Sequence, residues 1–319
     1  MGALSGRPRT LEVPAFAKLN LGLEVLDTRA DGYHELRTIF QTIDLCDRIR
    51  LELRPRAVSL SCDDPRLPCD ESNLALRAAL DLKRYTEASA GVAITIAKRI
   101  PVSAGLAGGS SDAAAVLLGL DRLWGQGLGR GGLLPLARRL GADVPFFLFG
   151  GTALGIARGD EVYPLGIRLR AHAVVVDGGR PLATSAVFGR LDEGLTPREN
   201  SNNIFRFISS YEERGTEALS VLSNDLERAA LEEAPDLVPT ARRVRSVLNA
   251  AGARLASLSG SGASYFGLFD RAAQAKRAAG ELEAAGFRAF RARTLSAERY
   301  RALWRRALHE RGVNAGWGR

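Results

Sequence analysis

The segment at residues 101–114, PVSAGLAGGSSDAA, decides the fold of this chain. Its three glycines, Gly105, Gly108 and Gly109, allow the backbone to approach a ligand closely, because glycine has no Cβ and tolerates positive φ. The apolar run at 113–120 predicts a helix directly behind this loop. Since a helix N-terminus presents unpaired N–H groups and the positive end of its dipole, the segment is typical of an anion-binding turn.

The polar residues at the end of this loop support phosphate binding but do not require it. Ser110 and Ser111 offer hydroxyls to a phosphate oxygen or a metal, and Asp112 is predicted to cap the helix. A glycine–serine turn often serves only as a cap, so both interpretations stay open for this segment alone. The alternation at 92–97 predicts a preceding strand, and strand–loop–helix is typical of a nucleotide site. The absence of G-x-x-x-x-G-K-[ST], H-R-D and D-F-G segments excludes the P-loop and protein-kinase classes.

The composition predicts two globular domains. The chain has 319 residues, 46% of them hydrophobic, and no run approaches the roughly 18 apolar residues of a membrane helix. The first twelve residues lack an apolar signal core, so we expect a cytoplasmic location and no membrane partner. The three cysteines, Cys46, Cys62 and Cys69, form no C-x-x-C pair, which favours reduced thiols over a disulfide or zinc site.

The net charge of +8 is concentrated near the C-terminus. Residues 271–319 contain 12 basic and 4 acidic residues, so the first 270 residues, with 32 of each sign, are neutral. This distribution argues against a nucleic-acid partner. Lysine is rare, and the chain has only Lys18, Lys83, Lys98 and Lys276 among 44 basic residues. A lysine in an arginine-rich chain suggests a position where a compact ammonium is needed.

Strand and helix patterns alternate irregularly, which predicts an α+β fold rather than a doubly wound sheet. A second domain is predicted to begin near residue 160. The predicted strands are 13–26 (bent or paired around Asn20), 36–43, 47–53, 92–97, one opening at 145–151, 173–176, 263–269 and 287–293. The predicted helices are 73–85, 112–124, 133–140, 218–228, 237–251 and 271–285.

Residues 101–114 resemble the second motif of the galactokinase, homoserine, mevalonate and phosphomevalonate (GHMP) kinase superfamily. Residues 258–263, LSGSGA, resemble its third motif. Three further segments, 15–23 (AFAKLNLGL), 29–36 (RADGYHEL) and 141–147 (GADVPFF), are similar to the 4-diphosphocytidyl-2-C-methylerythritol kinase family within that superfamily. The similarity extends from about residue 13 to about residue 269. Ser103 departs from the pattern, because relatives often carry glycine there.

The resemblance implies a two-domain architecture with the active site in a cleft. We expect a ribosomal-protein-S5-like, ATP-binding domain at 1–160 and a ferredoxin-like domain at 161–295. Residues 296–319 are then a basic extension outside the matched fold, with a solvated helix and a loose tail as the default expectation. Deleting residues 300–319 is accordingly predicted to leave activity largely intact. Oligomeric state is not indicated by the sequence.

The resemblance also implies phosphoryl transfer from ATP to the 2-hydroxyl of a diphosphocytidyl methylerythritol, in non-mevalonate isoprenoid synthesis. Asp143 would orient or deprotonate that hydroxyl, while Lys18 would keep Asp143 ionised and counter charge on the acceptor oxygen. The alternatives from the residues alone are a turn-forming Asp143 and an exposed strand lysine. The use of ATP implies Mg²⁺, whose ligands the sequence does not identify beyond a guess at Ser110 or Ser111.

A flat cytosine base is recognised economically by ring stacking and directed hydrogen bonds. Tyr33 suits stacking and His34 an edge contact, Asn20 could add a hydrogen bond, and Phe188 would close over the other face. A core phenylalanine is an equal alternative for Phe188. The implied ATP-binding residues are Pro101, Val102, Ser103, Ala104, Gly105, Leu106, Ala107, Gly108, Gly109, Ser110 and Ser111, with Asn73 and Lys98 at the adenine and ribose end.

Two other functions remain open. A sibling kinase would act on another alcohol, such as homoserine or mevalonate, but would have no base to stack on Tyr33 and His34. A nucleic-acid-binding module with an S5-like fold would use the basic tail. The neutral first 270 residues and the absence of RNP and KH motifs weigh against that module.

Overall fold

The computed structural model describes residues 9–192 and 202–309. Its first sheet is organised by two long antiparallel strands, β1 (Thr10–Thr28) and β2 (His34–Arg54). Their pairing shifts register near Lys18, Asn20 and Val25, and such bulges bend a strand. The bend predicted around Asn20 is therefore confirmed. The strands predicted separately at 36–43 and 47–53 are one continuous strand, β2.

Four shorter strands complete this sheet: β3 (Val58–Cys62), β4 (Gly91–Ala97), β5 (Thr152–Ile156) and β6 (Glu161–Pro164). The strand order is β3-β4-β2-β5-β6, with β1 paired to β2. Only the β3–β4 pair is parallel within this sheet. Strand β6 carries the first sheet a few residues beyond position 160.

Four helices, α1 (Leu74–Thr86), α2 (Gly108–Trp124), α3 (Gly129–Leu140) and α4 (Val144–Phe149), share one apolar core with this sheet. The strand predicted to open at 145–151 is wrong, because this segment forms α4. Its aromatic residues favour a strand locally, but Pro145 lies in the first turn of the helix. Its fixed φ suits a helix there, and the N–H that proline lacks would have had no intrahelical partner in any case.

The second sheet contains β7 (His172–Val176), β8 (Leu255–Leu258), β9 (Tyr265–Phe269) and β10 (Ala289–Arg293), all antiparallel in the order β10-β7-β9-β8. The helices of this half are α5 (Thr184–Asp192), α6 (Asn203–Arg214), α7 (Leu226–Glu233), α8 (Val238–Ala250) and α9 (Ala272–Ala284). The single helix predicted at 218–228 is wrong, because a 3-10 turn over Gly215–Val221 ends before α7 begins.

The last described helix, α10 (Ala297–His309), belongs to the first core rather than to solvent. Its buried side chains, Tyr300, Leu303, Trp304 and Ala307, recur with helical spacing and form one apolar stripe. The Tyr300 hydroxyl donates a hydrogen bond to the carbonyl of Phe147 in α4. The expectation of a solvated helix is therefore wrong. It arose from the many arginines of this segment, which make the apolar stripe hard to recognise in the sequence. Residues 310–319, predicted as a loose tail, lie outside the described residues.

Two predictions from composition can be compared with the described ranges. No helix there is both long enough and apolar enough to cross a bilayer. Cys46, Cys62 and Cys69 are free thiols, as predicted.

Candidate active site

A cleft of about 620 Å³ opens between the two halves of the molecule. One wall comes from β1, β2 and the glycine loop, and the other comes from the start of α5 and the turn between β8 and β9. The predicted site residues that line it are Lys18, Asn20, Pro101, Ser103, Ala104, Gly105, Ala107, Gly108, Gly109, Ser110, Asp143 and Phe188.

The glycine loop adopts an unusual backbone that exposes the start of α2 to this cleft. Ser103, Gly105 and Ala107 all have positive φ, at 53°, 74° and 55°. Positive φ favours glycine, so Ser103 and Ala107 hold a backbone conformation that residues with a side chain rarely adopt. Helix α2 begins at Gly108 without a side-chain cap, so Asp112 does not cap it as predicted. The N–H groups of its first turn are therefore available to an anion.

The two glycine-rich motifs from opposite halves of the chain touch each other. A Cβ on Gly105 would collide with the carbonyl oxygen of Ser259, so only glycine fits there. The Ser259 hydroxyl donates a hydrogen bond to the Gly105 carbonyl at 2.9 Å. Asn224, which precedes α7, holds the second motif by donating to the carbonyls of Leu258 and Gly260. The two motifs, both of which line the cleft, are thereby held against each other.

Lys18 and Asp143, 125 positions apart in sequence, meet in the cleft. The Lys18 Nζ lies 3.7 Å from Asp143 Oδ2, with the lysine side chain 4% exposed and the aspartate 34% exposed. Burial lowers the pKa of Lys18, while the negative charge of Asp143 opposes that shift. The alternative of an exposed strand lysine is thus excluded, and Asp143 is the member of the pair that a ligand can reach.

Asn20 fixes the direction of the Lys18 ammonium. Its Oδ1 accepts a hydrogen bond from Lys18 Nζ, and its Nδ2 donates to Thr38 Oγ1 at 2.8 Å. Thr38 in turn donates to the Gly22 carbonyl at 2.8 Å. This chain of hydrogen bonds across β1 and β2 leaves the lysine little rotational freedom.

Of the predicted base-binding residues, Asn20 and Phe188 line the cleft, whereas Tyr33 and His34 lie outside its lining. His34 and Phe188 stack on each other, with ring centroids 4.7 Å apart and planes at 29°. Phe188 lines the cleft, whereas Tyr33 is outside its lining and 57% exposed. The guanidinium of Arg158, which does line the cleft, lies 4.9 Å from the centre of the Tyr33 ring. Sequence reasoning missed Arg158, because nothing distinguishes it from the other arginines of this chain.

Some predicted nucleotide contacts lie away from the cleft lining. Asn73 caps α1 by accepting from Ala75 N at 2.9 Å, although the neighbouring Leu74 does line the cleft. The Ser111 hydroxyl donates to the Phe16 carbonyl at 2.7 Å. Val102, Leu106 and Lys98 also lie outside the lining, and Lys98 is held in a buried ion cluster. As nucleotide contacts, these residues stay predictions.

Comparison with known proteins supports this architecture. The model of the GHMP kinases N terminal domain matches residues 73–151, and that of the GHMP kinases C terminal domain matches residues 216–288. The chain is 39% identical over 290 residues to 4-diphosphocytidyl-2-C-methyl-D-erythritol kinase of Acaryochloris marina, covering 86% of this chain and 92% of that one. It is 41% identical over 317 residues to the kinase of the same name in Solibacter usitatus, covering 97% and 96%.

Solved structures are similar to this chain over both domains. A crystal structure of 4-(cytidine 5'-diphospho)-2C-methyl-D-erythritol kinase aligns with a TM-score of 0.71 and 36% identity, covering 89% of this chain and 99% of that one. Homoserine kinase from Cytophaga hutchinsonii aligns with a TM-score of 0.72 at 20% identity, covering 93% and 96%, which shows the fold alone. The predicted two-domain α+β fold, with its S5-like and ferredoxin-like halves and a cleft between them, is confirmed.

Proposed function

Because this chain belongs to the 4-diphosphocytidyl-2-C-methyl-D-erythritol kinase family of the GHMP kinases, we propose that it phosphorylates the 2-hydroxyl of that diphosphocytidyl alcohol with ATP. The observation that carries the proposal is the Lys18–Asp143 pair, which shares one cleft with the uncapped N-terminus of α2. One feature suits a hydroxyl acceptor and the other a polyphosphate donor. The proposed reaction belongs to non-mevalonate isoprenoid synthesis, and the proposed location of the enzyme is the cytoplasm.

Asp143 acts on the acceptor hydroxyl. Its carboxylate accepts the hydroxyl proton while the acceptor oxygen bonds to the γ-phosphorus and the bond from that phosphorus to the bridging oxygen of ADP breaks. Lys18 stabilises the negative charge of Asp143 and the charge that develops on the acceptor oxygen. Asn20 keeps the ammonium aimed at this point, so that little reorganisation accompanies the transfer.

The donor end relies on backbone groups more than on charged side chains. The first turn of α2, from Gly108 to Ser110, faces the cleft and suits the triphosphate. Among the described residues, no group of three or more His, Cys, Asp or Glu side chains is arranged to hold a metal ion. Mg²⁺ bound with ATP would be held mainly by phosphate oxygens and water. Of the two serines, Ser110 is the one whose hydroxyl could coordinate Mg²⁺, since the Ser111 hydroxyl donates a hydrogen bond to the Phe16 carbonyl. Bound Mg²⁺ would supply charge neutralisation.

The acceptor end offers rings for a base and a cation for a diphosphate. Phe188, stacked on His34, presents an aromatic surface to the cleft. Arg158 and Lys18 are the basic side chains among the described lining residues, and Lys18 is committed to Asp143. Arg158 Nη2 also pairs with Asp160 Oδ2 at 3.2 Å, but its side chain is 38% exposed, so it can turn toward the diphosphate and counter its charge. Thr184 at the start of α5 lies on the opposite wall.

An ADP-release assay tests this assignment directly. The purified chain is given ATP, Mg²⁺ and one of three acceptors: the diphosphocytidyl methylerythritol, homoserine or mevalonate. We expect turnover with the first and none above background with the others. Preferential turnover of homoserine or mevalonate would reassign the chain to a sibling activity, because neither acceptor offers a base or a diphosphate.

Replacing Tyr33 with alanine is expected to raise KM for the cytidyl substrate while leaving KM for ATP nearly unchanged. Stacking on a base contributes about 1–3 kcal/mol, which corresponds to roughly a five- to hundredfold rise where KM follows binding. Tyr33→Phe retains the ring and is expected to cost much less. Steady-state kinetics with each substrate varied in turn provide the measurement.

Tyr85→Ala is the matched control, since Tyr85 on α1 is 55% exposed, close to the exposure of Tyr33. It should leave both KM values unchanged. Equal behaviour of Tyr33→Ala and Tyr33→Phe, or a rise in KM for ATP alone, would remove Tyr33 from the acceptor site.

A further inference from the structure

A buried ion cluster lies directly behind the glycine loop, outside the cleft lining. The Lys98 Nζ contacts Asp47 Oδ2, and it lies 2.9 Å from Asp112 Oδ2. The three side chains are 6%, 0% and 4% exposed. Asp47 belongs to β2, Lys98 follows β4, and Asp112 lies in the second turn of α2. Three separate elements therefore meet at one ammonium.

The cluster ties down both ends of the glycine loop. At the entrance, Asp47 Oδ1 accepts hydrogen bonds from the backbone N–H groups of Arg99, at 2.6 Å, and Ile100, at 2.9 Å. Those residues immediately precede Pro101 at the start of the loop. At the exit, Lys98 holds Asp112 within α2. One carboxylate on the central strand β2 thus anchors the loop entrance directly and its exit through Lys98.

Lys98 also supports the first turn of α2 from behind. A Cβ added to Gly108 would come within 3.2 Å of Lys98 Nζ and within 3.2 Å of the Ile100 side chain. Gly108 itself lines the cleft. The Lys98 ammonium therefore lies close behind Gly108, a residue that lines the cleft.

The chemistry of the three groups explains why a lysine is used here. A compact ammonium donates to two carboxylates at once and fits under Gly108, whereas a planar guanidinium has a different reach and bonding geometry. Burying these charges is tolerated only while they remain paired. Removing Asp47 would leave the entrance N–H groups without their acceptor and would shift Lys98 toward Asp112 alone.

We infer that Asp47, Lys98 and Asp112 form a clamp that sets the position of the phosphate-binding turn, with Asp47 as its anchor. The inference rests on the proposed use of ATP, but not on the identity of the acceptor. Within this clamp all three residues act on the nucleotide through the loop, so they are positioning residues; the separate prediction of a direct contact between Lys98 and the nucleotide plays no part in the clamp.

The test compares Asp47→Ala and the milder Asp47→Asn with Asp121→Ala. Asp121 is a matched control, since it also accepts two backbone N–H bonds, from Leu128 and Gly129, but at the far end of α2. Binding of tripolyphosphate is measured by calorimetry, and KM is measured for ATP, GTP and the cytidyl substrate. Thermal unfolding verifies that each variant is folded.

Asp47→Ala should weaken tripolyphosphate binding and raise KM for ATP and GTP by the same factor, about tenfold or more, since small displacements of a positioning element are costly. Asp47→Asn should show a smaller rise, because its amide oxygen still accepts from the loop. KM for the cytidyl substrate should stay within about twofold, as should every constant of Asp121→Ala.

Several results would overturn the clamp. Unchanged tripolyphosphate binding in Asp47→Ala would contradict it. So would a rise in KM for ATP without a rise in KM for GTP, or an equal rise in KM for ATP and for the cytidyl substrate. Failure of both Asp47 variants to fold would assign the cluster to stability alone. Because tripolyphosphate needs no acceptor, its binding remains informative even if the cytidyl alcohol proves not to be the substrate.

Discussion

Asp143→Asn is expected to lower kcat by about 10²–10⁴-fold, the range typical of a lost general base. The amide has nearly the shape of the carboxylate but cannot accept the acceptor proton, and Lys18 loses its partner 3.7 Å away. ATP affinity should change little, because the first turn of α2, which is proposed to bind the phosphates, is untouched. Turnover is measured by ADP release at saturating substrates, and ATP affinity is measured by calorimetry.

Asp81→Asn provides the control for this variant. Asp81 lies on α1 and pairs with Arg84 at the protein surface, so its replacement should leave kcat unchanged. A kcat for Asp143→Asn within a few-fold of the unmodified enzyme would show that Asp143 is not the base. A large loss of ATP affinity would instead place Asp143 at the nucleotide.

Trp304→Ala is expected to lower the free energy of unfolding of the first domain by about 3–5 kcal/mol. Trp304 is 3% exposed and belongs to the core that contains β1, α2 and α4, so truncation leaves a cavity that the sheet cannot fill. The same reasoning reverses the expectation that residues 300–319 are dispensable. Deleting them removes Tyr300 as well as Trp304 and is expected to unfold the domain.

The neighbouring Arg305 supplies the comparison for this effect. Arg305 is exposed on the same helix, and its replacement by alanine should change stability by no more than about 0.5 kcal/mol. The free energy of unfolding of both variants is measured by urea titration, with the far-ultraviolet circular dichroism signal as the probe because it does not depend on tryptophan. Equal stability of Trp304→Ala and Arg305→Ala would show that α10 contributes nothing to the core.

The Lys18–Asp143 pair illustrates what could be predicted in advance. Motif resemblance assigned Lys18 and Asp143 to one site, and the structure brings the two atoms to 3.7 Å across 125 positions. The residues alone left a turn aspartate and an exposed lysine as alternatives, because the two side chains become neighbours only when the start of α4 packs beside β1. Arg158 had no signal at all, since only its place in the cleft distinguishes it.

The errors of local prediction have a common physical cause. The aromatic run of α4 favours a strand by propensity, yet burial against α2 and a proline in the first turn make it a helix. The arginines of α10 suggested a solvated element, yet four residues at helical spacing fill the first core. In both segments, packing partners distant in sequence override local preference.

The sequence alone determined the properties that depend on neighbouring residues: the glycine loop before α2, the turn between β8 and β9, the free thiols and the family to which these motifs belong. Tertiary structure alone decided that Ser259 meets Gly105, that Lys98 serves a buried clamp, and that α10 returns to the first domain. Local backbone preference depends on a few consecutive residues, so it can be predicted from the sequence. Burial and charge pairing act between surfaces that become neighbours only when the two domains fold.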